Sequence, residues 1–165
     1  MLELQYKNVV DIYNLRYDKN AKLHSIGDIC ASIEQHGFRV PMIYDNTLDA
    51  IIAGNGRSEA LYQMYNNWLS NKSKPVPNGI KIEDDQWFAP VIYGGDAKTV
   101  QDAIAFLIDD NNLTVMGGDL TTGDISRMWD MDGYLELIRL SELQTVSVDG
   151  NDLRVLQQIS DMSGS

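Results

Sequence analysis

The sequence predicts a globular α+β protein, and three observations support this prediction. Short stretches rich in β-branched and aromatic residues alternate with amphipathic patterns of helical period. The 165 residues are enough for a domain with a substantial hydrophobic core, and the hydrophobic content of 44% is ordinary for a globular protein. No apolar run approaches the ~20 residues of a membrane-spanning helix, so we expect no membrane contact.

The first quarter of the chain predicts a strand and a capped helix. Residues 7–17 contain several β-branched and aromatic side chains, which favours an early strand. Ser25 and Asp28 have the spacing of a capping box at a helix N-terminus, and Gly37 is typical of a helix C-terminus. Between them lies one apolar stripe at helical spacing: Ile26, Ile29, Cys30 and Ile33.

The centre of the chain predicts two short strands and a long helix. Residues 40–44 and 49–53 have strand character, and the polar residues at 45–47 are typical of the turn between them. The second strand leads directly into Gly54-Asn55-Gly56, and the helix that follows ends near Asn71.

Residues 72–87 predict a loop insertion, because prolines and a glycine interrupt any regular pattern there. A short extended piece near 80–82 lies within it. A strand at 88–93 and a helix that begins at Thr99 and reaches 109–112 follow.

The last third of the chain predicts further helices. We expect residues 1–115 to form the main domain and residues 116–165 to form a helical C-terminal extension packed on it. Within the extension, the pattern indicates helices near 124–142 and 151–159.

The charge and cysteine content restrict the function and the compartment. The net charge of −11 repels a phosphate backbone on average, which argues against indiscriminate nucleic-acid binding. Cys30 is the only cysteine, so no internal disulfide can form, and this fits a reducing compartment. The first residues lack the basic stretch and apolar run of a secretory signal. We therefore expect a cytoplasmic protein.

A strand, a glycine turn and a helix make Gly54-Asn55-Gly56-Arg57 a candidate phosphate-binding site. Glycines let the backbone approach an anion, and the first N–H groups of the helix point towards it. The Arg57 guanidinium adds a charged fork that matches phosphate geometry. The same residues also fit a tight packing turn with Arg57 as a surface charge, and the sequence alone leaves both interpretations open.

Two further sites offer chemistry. Asp110 has the oxygen ligands that Mg²⁺ prefers, and Asn111 next to it can orient a phosphate or a water molecule. His24 has a side chain suited to acid–base work near neutral pH. A solvated helix end at 109–112 and a capping role for His24 are the alternatives that these residues equally allow.

Taken in order, these pieces form a longer pattern. Its parts are Asn20-Ala21-Lys22-Leu23-His24, Ser32-Ile33, Gly37-Phe38, Pro41, the box from Ile51 to Ala60, Ala89-Pro90-Val91-Ile92 and Asp110-Asn111. In order and spacing the pattern resembles the ParB/sulfiredoxin superfamily, whose members are often called ParB-like nuclease domains. The resemblance implies a small mixed sheet flanked by helices.

Within the superfamily, the chain looks most similar to the ParB-like domains associated with DNA methyltransferases. Trp129-Asp130 and the helix around Tyr134 are similar to the downstream region of those domains. Asn55 stands where the redox branch has its cysteine, so the resemblance implies no sulfiredoxin chemistry. Gly56-Arg57 stand where the branch that hydrolyses CTP has two adjacent arginines, and Glu59 replaces a later arginine.

The resemblance implies a nucleotide site around the glycine turn. In it, Gly54, Asn55 and Gly56 wrap a triphosphate and Arg57 clamps it. Mg²⁺ would accompany the nucleoside triphosphate, held by Glu59 or Asp110. The residues implied to line the same pocket are Asn20, Lys22, His24 and Asn111, and those implied to act in any catalysis are Arg57, Glu59 and His24.

Two other functions are compatible with the sequence. The first uses the same residues, and the second uses none of them. In a metal-dependent DNA nuclease, Asp110 and Glu59 would carry the metal and His24 would serve as base. In a non-catalytic interaction module, the acidic surface would bind a protein of a DNA-modification, partition or phage-like system. A homodimer is a further expectation.

Overall fold

The computed structural model describes residues 1–116, 127–142, 144–148 and 154. The chain divides into two compact units. The first consists of Met1–Tyr17 and Ser25–Asp96, and the second consists of Asp18–His24 and Ala97–Ser165.

The first unit is built on a small mixed sheet. Its strands within the described residues are β1 (Glu3–Asn8), β2 (Met42–Asp45), β3 (Ala50–Ala53), β4 (Lys81–Glu83) and β5 (Gln86–Tyr93). The order across the sheet is β1-β5-β2-β3, and β4 pairs with β5. Strands β2 and β5 run parallel, whereas the other pairs are antiparallel.

Three helices of the first unit accompany the sheet: α1 (Val9–Asn14), α2 (Ile26–His36) and α3 (Asn55–Ser70). Helix α1 starts directly after β1 because the Asn8 side chain accepts hydrogen bonds from the N–H groups of Val10 and Asp11. Val9 and Ile12 lie three residues apart on the buried side of this helix.

The core of the first unit joins the sheet to these helices. Strand β5 contributes Trp87, Ala89 and Val91, which alternate along one face of the sheet. Helix α3 supplies a buried stripe at helical spacing: Ala60, Leu61, Tyr65 and Trp68. The rings of Trp68 and Trp87 approach to 5.7 Å between centroids, so the core is centred on aromatic contacts between α3 and β5.

The second unit contains helices α4 (Val100–Met116) and α5 (Met131–Leu140). The Asp130 side chain caps α5 by accepting a hydrogen bond from the N–H group of Gly133. The Asp18–His24 segment belongs to this unit through backbone pairing. The N–H group of Leu23 donates to the carbonyl of Met128 at 2.7 Å, and that of Asp130 donates to the carbonyl of Ala21 at 2.9 Å.

Most of the expected elements are present. The fold class is confirmed as a mixed α/β protein with a small mixed sheet flanked by helices. The strands expected at 40–44, 49–53 and 88–93 correspond to β2, β3 and β5, and the expected helices correspond to α2, α3, α4 and α5. In α4, Thr99 caps as expected, since its Oγ1 accepts from the N–H group of Asp102.

Two expectations differ from the structure. The prediction of one strand over 7–17 is wrong, because the cap at Asn8 ends β1 and turns residues 9–14 into a helix. The expected loop at 72–87 is irregular only in part: the short extended piece expected near 80–82 corresponds to β4, which forms a hairpin with the start of β5. The helix expected at 151–159 lies outside the described residues except for Arg154, and the boundary expected at 115/116 stays a prediction.

Within the described ranges, no helix combines the length and the apolar composition needed to cross a bilayer.

Candidate functional site

The glycine turn lies at the junction of β3 and α3 in the first unit. Gly54 is the N-cap of α3 and has a left-handed backbone, with φ of +94°. A Cβ atom at this position would lie 2.5 Å from Cγ of Met42 and 2.9 Å from Nη2 of Arg57. Both the backbone conformation and the packing therefore require glycine at position 54.

Ser58 closes the first turn of α3 on Gly54. Its N–H group and its hydroxyl both donate to the Gly54 carbonyl, each at 2.8 Å. The N–H groups of Asn55, Gly56 and Arg57 precede this bond and have no acceptor within the helix, as at any helix N-terminus. They constitute the part of the turn that can face an anion.

Arg57 folds back towards β2. Its Nη2 donates to the carbonyl of Pro41 at 3.1 Å, and the side chain is partly buried. The guanidinium therefore lies close to Gly54, in the space that a side chain at position 54 would occupy, rather than extending into solvent.

Asn55 and Gly56 are buried. The Nδ2 of Asn55 donates to the carbonyl of Ile51 at 3.1 Å. Its Oδ1 is shielded from solvent and accepts no hydrogen bond from any residue that the structure describes. A buried acceptor without a donor costs about 1–3 kcal/mol, so Asn55 is an energetically unfavourable feature at the start of α3.

Glu59 faces a different neighbour from Arg57. Its carboxylate pairs with Nη1 of Arg16 at 3.4 Å. The Arg16 guanidinium also lies 3.7 Å from the centre of the Tyr13 ring, which stacks on Tyr62 at 3.9 Å. Arg16 is a cation close to the start of α3 that the sequence did not single out, because 43 residues separate it from Glu59.

The Asn20–His24 segment lies in the second unit. Oδ1 of Asn20 accepts from the N–H group of Lys22 at 3.1 Å, and Lys22 forms a backbone bridge with Trp129. Burial lowers the pKa of the Lys22 ammonium. His24 is half-buried.

The acidic-amide run of α4 also lies in the second unit, and its members have different roles. Asp109 accepts from the N–H groups of Val146 and Ser147 at 2.9 and 3.0 Å. Asn111 donates to the carbonyl of Leu107 within its own helix. Asp110 and Asn111 remain partly accessible, as a site would need.

Asn112 organises the interior of the second unit. Its Nδ2 donates to the hydroxyl of Tyr134 at 2.8 Å and to Oγ of Ser147 at 3.1 Å. Its Oδ1 accepts from Nε1 of Trp129 at 2.9 Å. The residue is fully buried, so this asparagine joins α4, α5 and the segments around 129 and 147.

The residues expected to share one pocket are divided between the two units. Gly54, Asn55, Gly56, Arg57 and Glu59 belong to the first, whereas Asn20, Lys22, His24, Asp110 and Asn111 belong to the second. Within the first unit, Arg57 and Glu59 contact different elements. Among the described residues, no group of three or more His, Cys, Asp or Glu side chains has a geometry that could hold a metal ion.

A separate cavity of about 280 Å³ opens on the other end of α3. This cavity cannot be predicted from the sequence, because aromatic residues at helical spacing predict a core rather than a cleft. Its walls combine two tryptophans with other apolar and polar side chains, and the lining residues are Glu34, Met64, Asn67, Trp68, Lys74, Pro75 and Trp87.

Comparisons with known proteins assign the chain to no family. No protein-family model, no curated protein and no solved structure matches the chain.

Proposed function

We propose that this chain is a ParB-like domain that binds a nucleotide through its phosphates at the Gly54–Arg57 turn. The process it serves would be DNA-related, such as DNA modification, partition or a phage-like system, and a cytoplasmic location fits it. The observation that carries the proposal is the start of α3, where left-handed Gly54 precedes a 16-residue helix with Arg57 in its first turn. The helix dipole and the N–H groups of that turn favour an anion.

Arg57 can donate to a phosphate in the binding step. One of its present acceptors is the neutral carbonyl of Pro41, at 3.1 Å. Hydrogen bonds between a guanidinium and a phosphate are roughly twice as strong as those between neutral groups. We therefore expect a phosphate to displace the carbonyl and to be clamped between Arg57 and the backbone of the turn.

Asn55 favours a nucleotide over a simple inorganic anion. Its buried Oδ1 accepts no hydrogen bond from a described residue. A ribose hydroxyl or a base amino group would donate to it and remove the cost of the unsatisfied acceptor. A nucleotide has both the phosphates that would bind Arg57 and the N–H groups of the turn, and a donor for Oδ1 of Asn55.

Mg²⁺ fits poorly as an ion held by Glu59, because the Glu59 carboxylate already pairs with the Arg16 guanidinium. We therefore expect any Mg²⁺ to arrive with the triphosphate rather than to be held by Glu59.

The test is isothermal titration calorimetry with CTP, ATP and GTP, with and without Mg²⁺. We expect one of the three to bind, and Arg57→Ala to weaken that binding at least ~10-fold. Arg39→Ala is the matched control, since Arg39 is an exposed arginine that also donates to a backbone carbonyl, that of His36. Binding lost equally in both variants, or heat from none of the nucleotides near millimolar concentration, would refute the proposal.

Catalysis is measured in the same samples. Release of phosphate would indicate a nucleoside triphosphatase. Plasmid cleavage that needs a divalent metal and disappears in Arg57→Ala would favour the metal-dependent nuclease. The non-catalytic interaction module is favoured if the protein binds no nucleotide and cleaves no DNA.

A further inference from the structure

Strand β1 lies at the edge of the sheet. Its neighbour is β5, and no other described strand pairs with its outer side. Leu4 and Tyr6, in the middle of this strand, are 53% and 40% exposed. An edge strand with exposed apolar side chains is a template for pairing with another strand.

The backbone of β1 is oriented for such pairing. Tyr6 lies opposite Pro90 in the register of β1 and β5. Because proline has no N–H group, this pair cannot exchange two hydrogen bonds, which favours the non-hydrogen-bonded arrangement. The N–H and C=O groups of Tyr6 then point away from β5, and alternation along the strand gives Leu4 the same orientation.

The sequence of β1 is complementary to itself. When two copies are aligned antiparallel with Gln5 opposite Gln5, Glu3 of each copy lies opposite Lys7 of the other, and Leu4 lies opposite Tyr6. Opposite charges and apolar–aromatic pairs directly across an antiparallel ladder are stabilising. Neither Glu3 nor Lys7 forms an ion pair with another residue that the structure describes.

We propose that β1 pairs with β1 of a second copy of this chain about a two-fold axis at Gln5, which extends the sheet across a homodimer. Leu4 of each copy exchanges backbone hydrogen bonds with Tyr6 of the other copy, and their side chains lie on one face of the extended sheet. Glu3 and Lys7 form two symmetric ion pairs on the other face. The arrangement is isologous, so it closes as a dimer rather than growing into a fibre.

The contact between the two β1 strands is small, so dimerisation must be measured over a range of concentrations. A ladder of a few residues buries less than the ~1,600 Å² of a standard protein interface. We therefore expect a reversible dimer whose population rises with concentration. Sedimentation equilibrium over a wide concentration range should give a mass that rises from 18.5 kDa towards twice that value.

Charge reversal gives the decisive test. Glu3→Lys places lysine opposite lysine, and Lys7→Glu places glutamate opposite glutamate, so each variant alone should remain a monomer. An equimolar mixture of the two restores both ion pairs and should dimerise again, as should the double variant Glu3→Lys/Lys7→Glu. Glu34→Lys, an exposed change of equal charge on α2, is the control and should dimerise like the wild type.

A wild-type chain that stays monomeric at every concentration would overturn the proposal. Single reversals that dimerise as well as the wild type would do so too, because the dimer would then use another surface. Circular dichroism establishes that each variant is folded before its mass is interpreted. No nucleotide enters this experiment, so its result is independent of the function proposed for the Gly54–Arg57 turn.

Discussion

Two buried asparagines, one in each unit, differ in how their hydrogen bonds are satisfied. Asn112 uses both Nδ2 protons and its Oδ1, with Tyr134, Ser147 and Trp129 as partners. Asn55 uses Nδ2 alone, and its Oδ1 accepts nothing from the described residues. Buried polar groups in folded proteins are normally paired, so the two residues have different roles.

The difference separates structure from candidate function. A satisfied buried amide fixes the packing of the elements around it, as Asn112 does for α4 and α5. An unsatisfied one lowers stability, and a ligand that donates a hydrogen bond to it would remove that cost. By this criterion Asn55 is a better candidate for contact with a ligand than Asn112.

The largest effect is expected at Asn112. Asn112→Ala removes three hydrogen bonds and leaves Nε1 of Trp129 and the hydroxyl of Tyr134 buried without this partner. We expect a loss of about 3 kcal/mol in the free energy of unfolding, measured by urea denaturation. Asn111→Ala is the control, because among the described residues the Asn111 side chain bonds within its own helix, and it should change stability by less than ~0.5 kcal/mol. Equal effects of the two changes would contradict the contrast.

The second effect concerns the glycine turn. Gly54→Ala adds a Cβ atom 2.5 Å from Met42 at a φ of +94°, and we expect it to cost about 2 kcal/mol of stability. Gly27→Ala in α2 meets nothing within 4 Å and should stabilise by up to ~0.5 kcal/mol. Thermal unfolding of both variants measures these two changes in stability. A tolerated alanine at position 54 would show that the turn is not conformationally fixed.

A smaller effect on stability, with a larger one on binding, is expected at Asn55. Asn55→Ala loses the bond to Ile51 but also removes the unsatisfied Oδ1. We expect a cost of about 1 kcal/mol, well below that of Asn112→Ala. Nucleotide affinity, measured by calorimetry, should fall ~10-fold. A cost as large as that at Asn112 would place Asn55 among the structural residues instead.

The smallest effect is expected for the ion pair beside the turn. The Arg16 and Glu59 side chains are 28% and 41% exposed, so a double-mutant cycle should give a coupling of about 0.5 kcal/mol. Arg16→Ala alone should cost more than Glu59→Ala, because Arg16 also packs on the Tyr13 ring. A coupling above ~2 kcal/mol would mean that the pair is a structural element of the turn rather than a weak surface contact.

The sequence predicted the elements whose signals are local. Helix α2 has its apolar stripe and its glycine end, and the strand–turn–helix at Gly54 is visible in consecutive residues. The error at 7–17 has a local cause too. Val9, Val10 and Ile12 favour a strand by propensity, but the Asn8 cap and the burial of Val9 and Ile12 three residues apart select a helix.

Contacts between residues that are far apart in the chain could not be predicted from the sequence. The pairing of Arg16 with Glu59 and the network around Asn112 join positions far apart in the chain. In the 109–112 run, the metal or phosphate site expected at Asp110 and Asn111 stays a prediction, whereas the tertiary partners of Asp109 and Asn112 give these two residues structural roles. Burial of Asn55 also depends on the folded context, so its unsatisfied oxygen emerged only from the structure.

An amide NMR titration with whichever of CTP, ATP or GTP binds would locate the phosphate site most directly. We expect the largest shifts at the N–H groups of Asn55, Gly56 and Arg57, and we expect them to vanish in Arg57→Ala. Shifts that instead cluster at the cavity around Trp68 and Trp87, or that remain unchanged in Arg57→Ala, would contradict the assignment of the phosphate site to this turn.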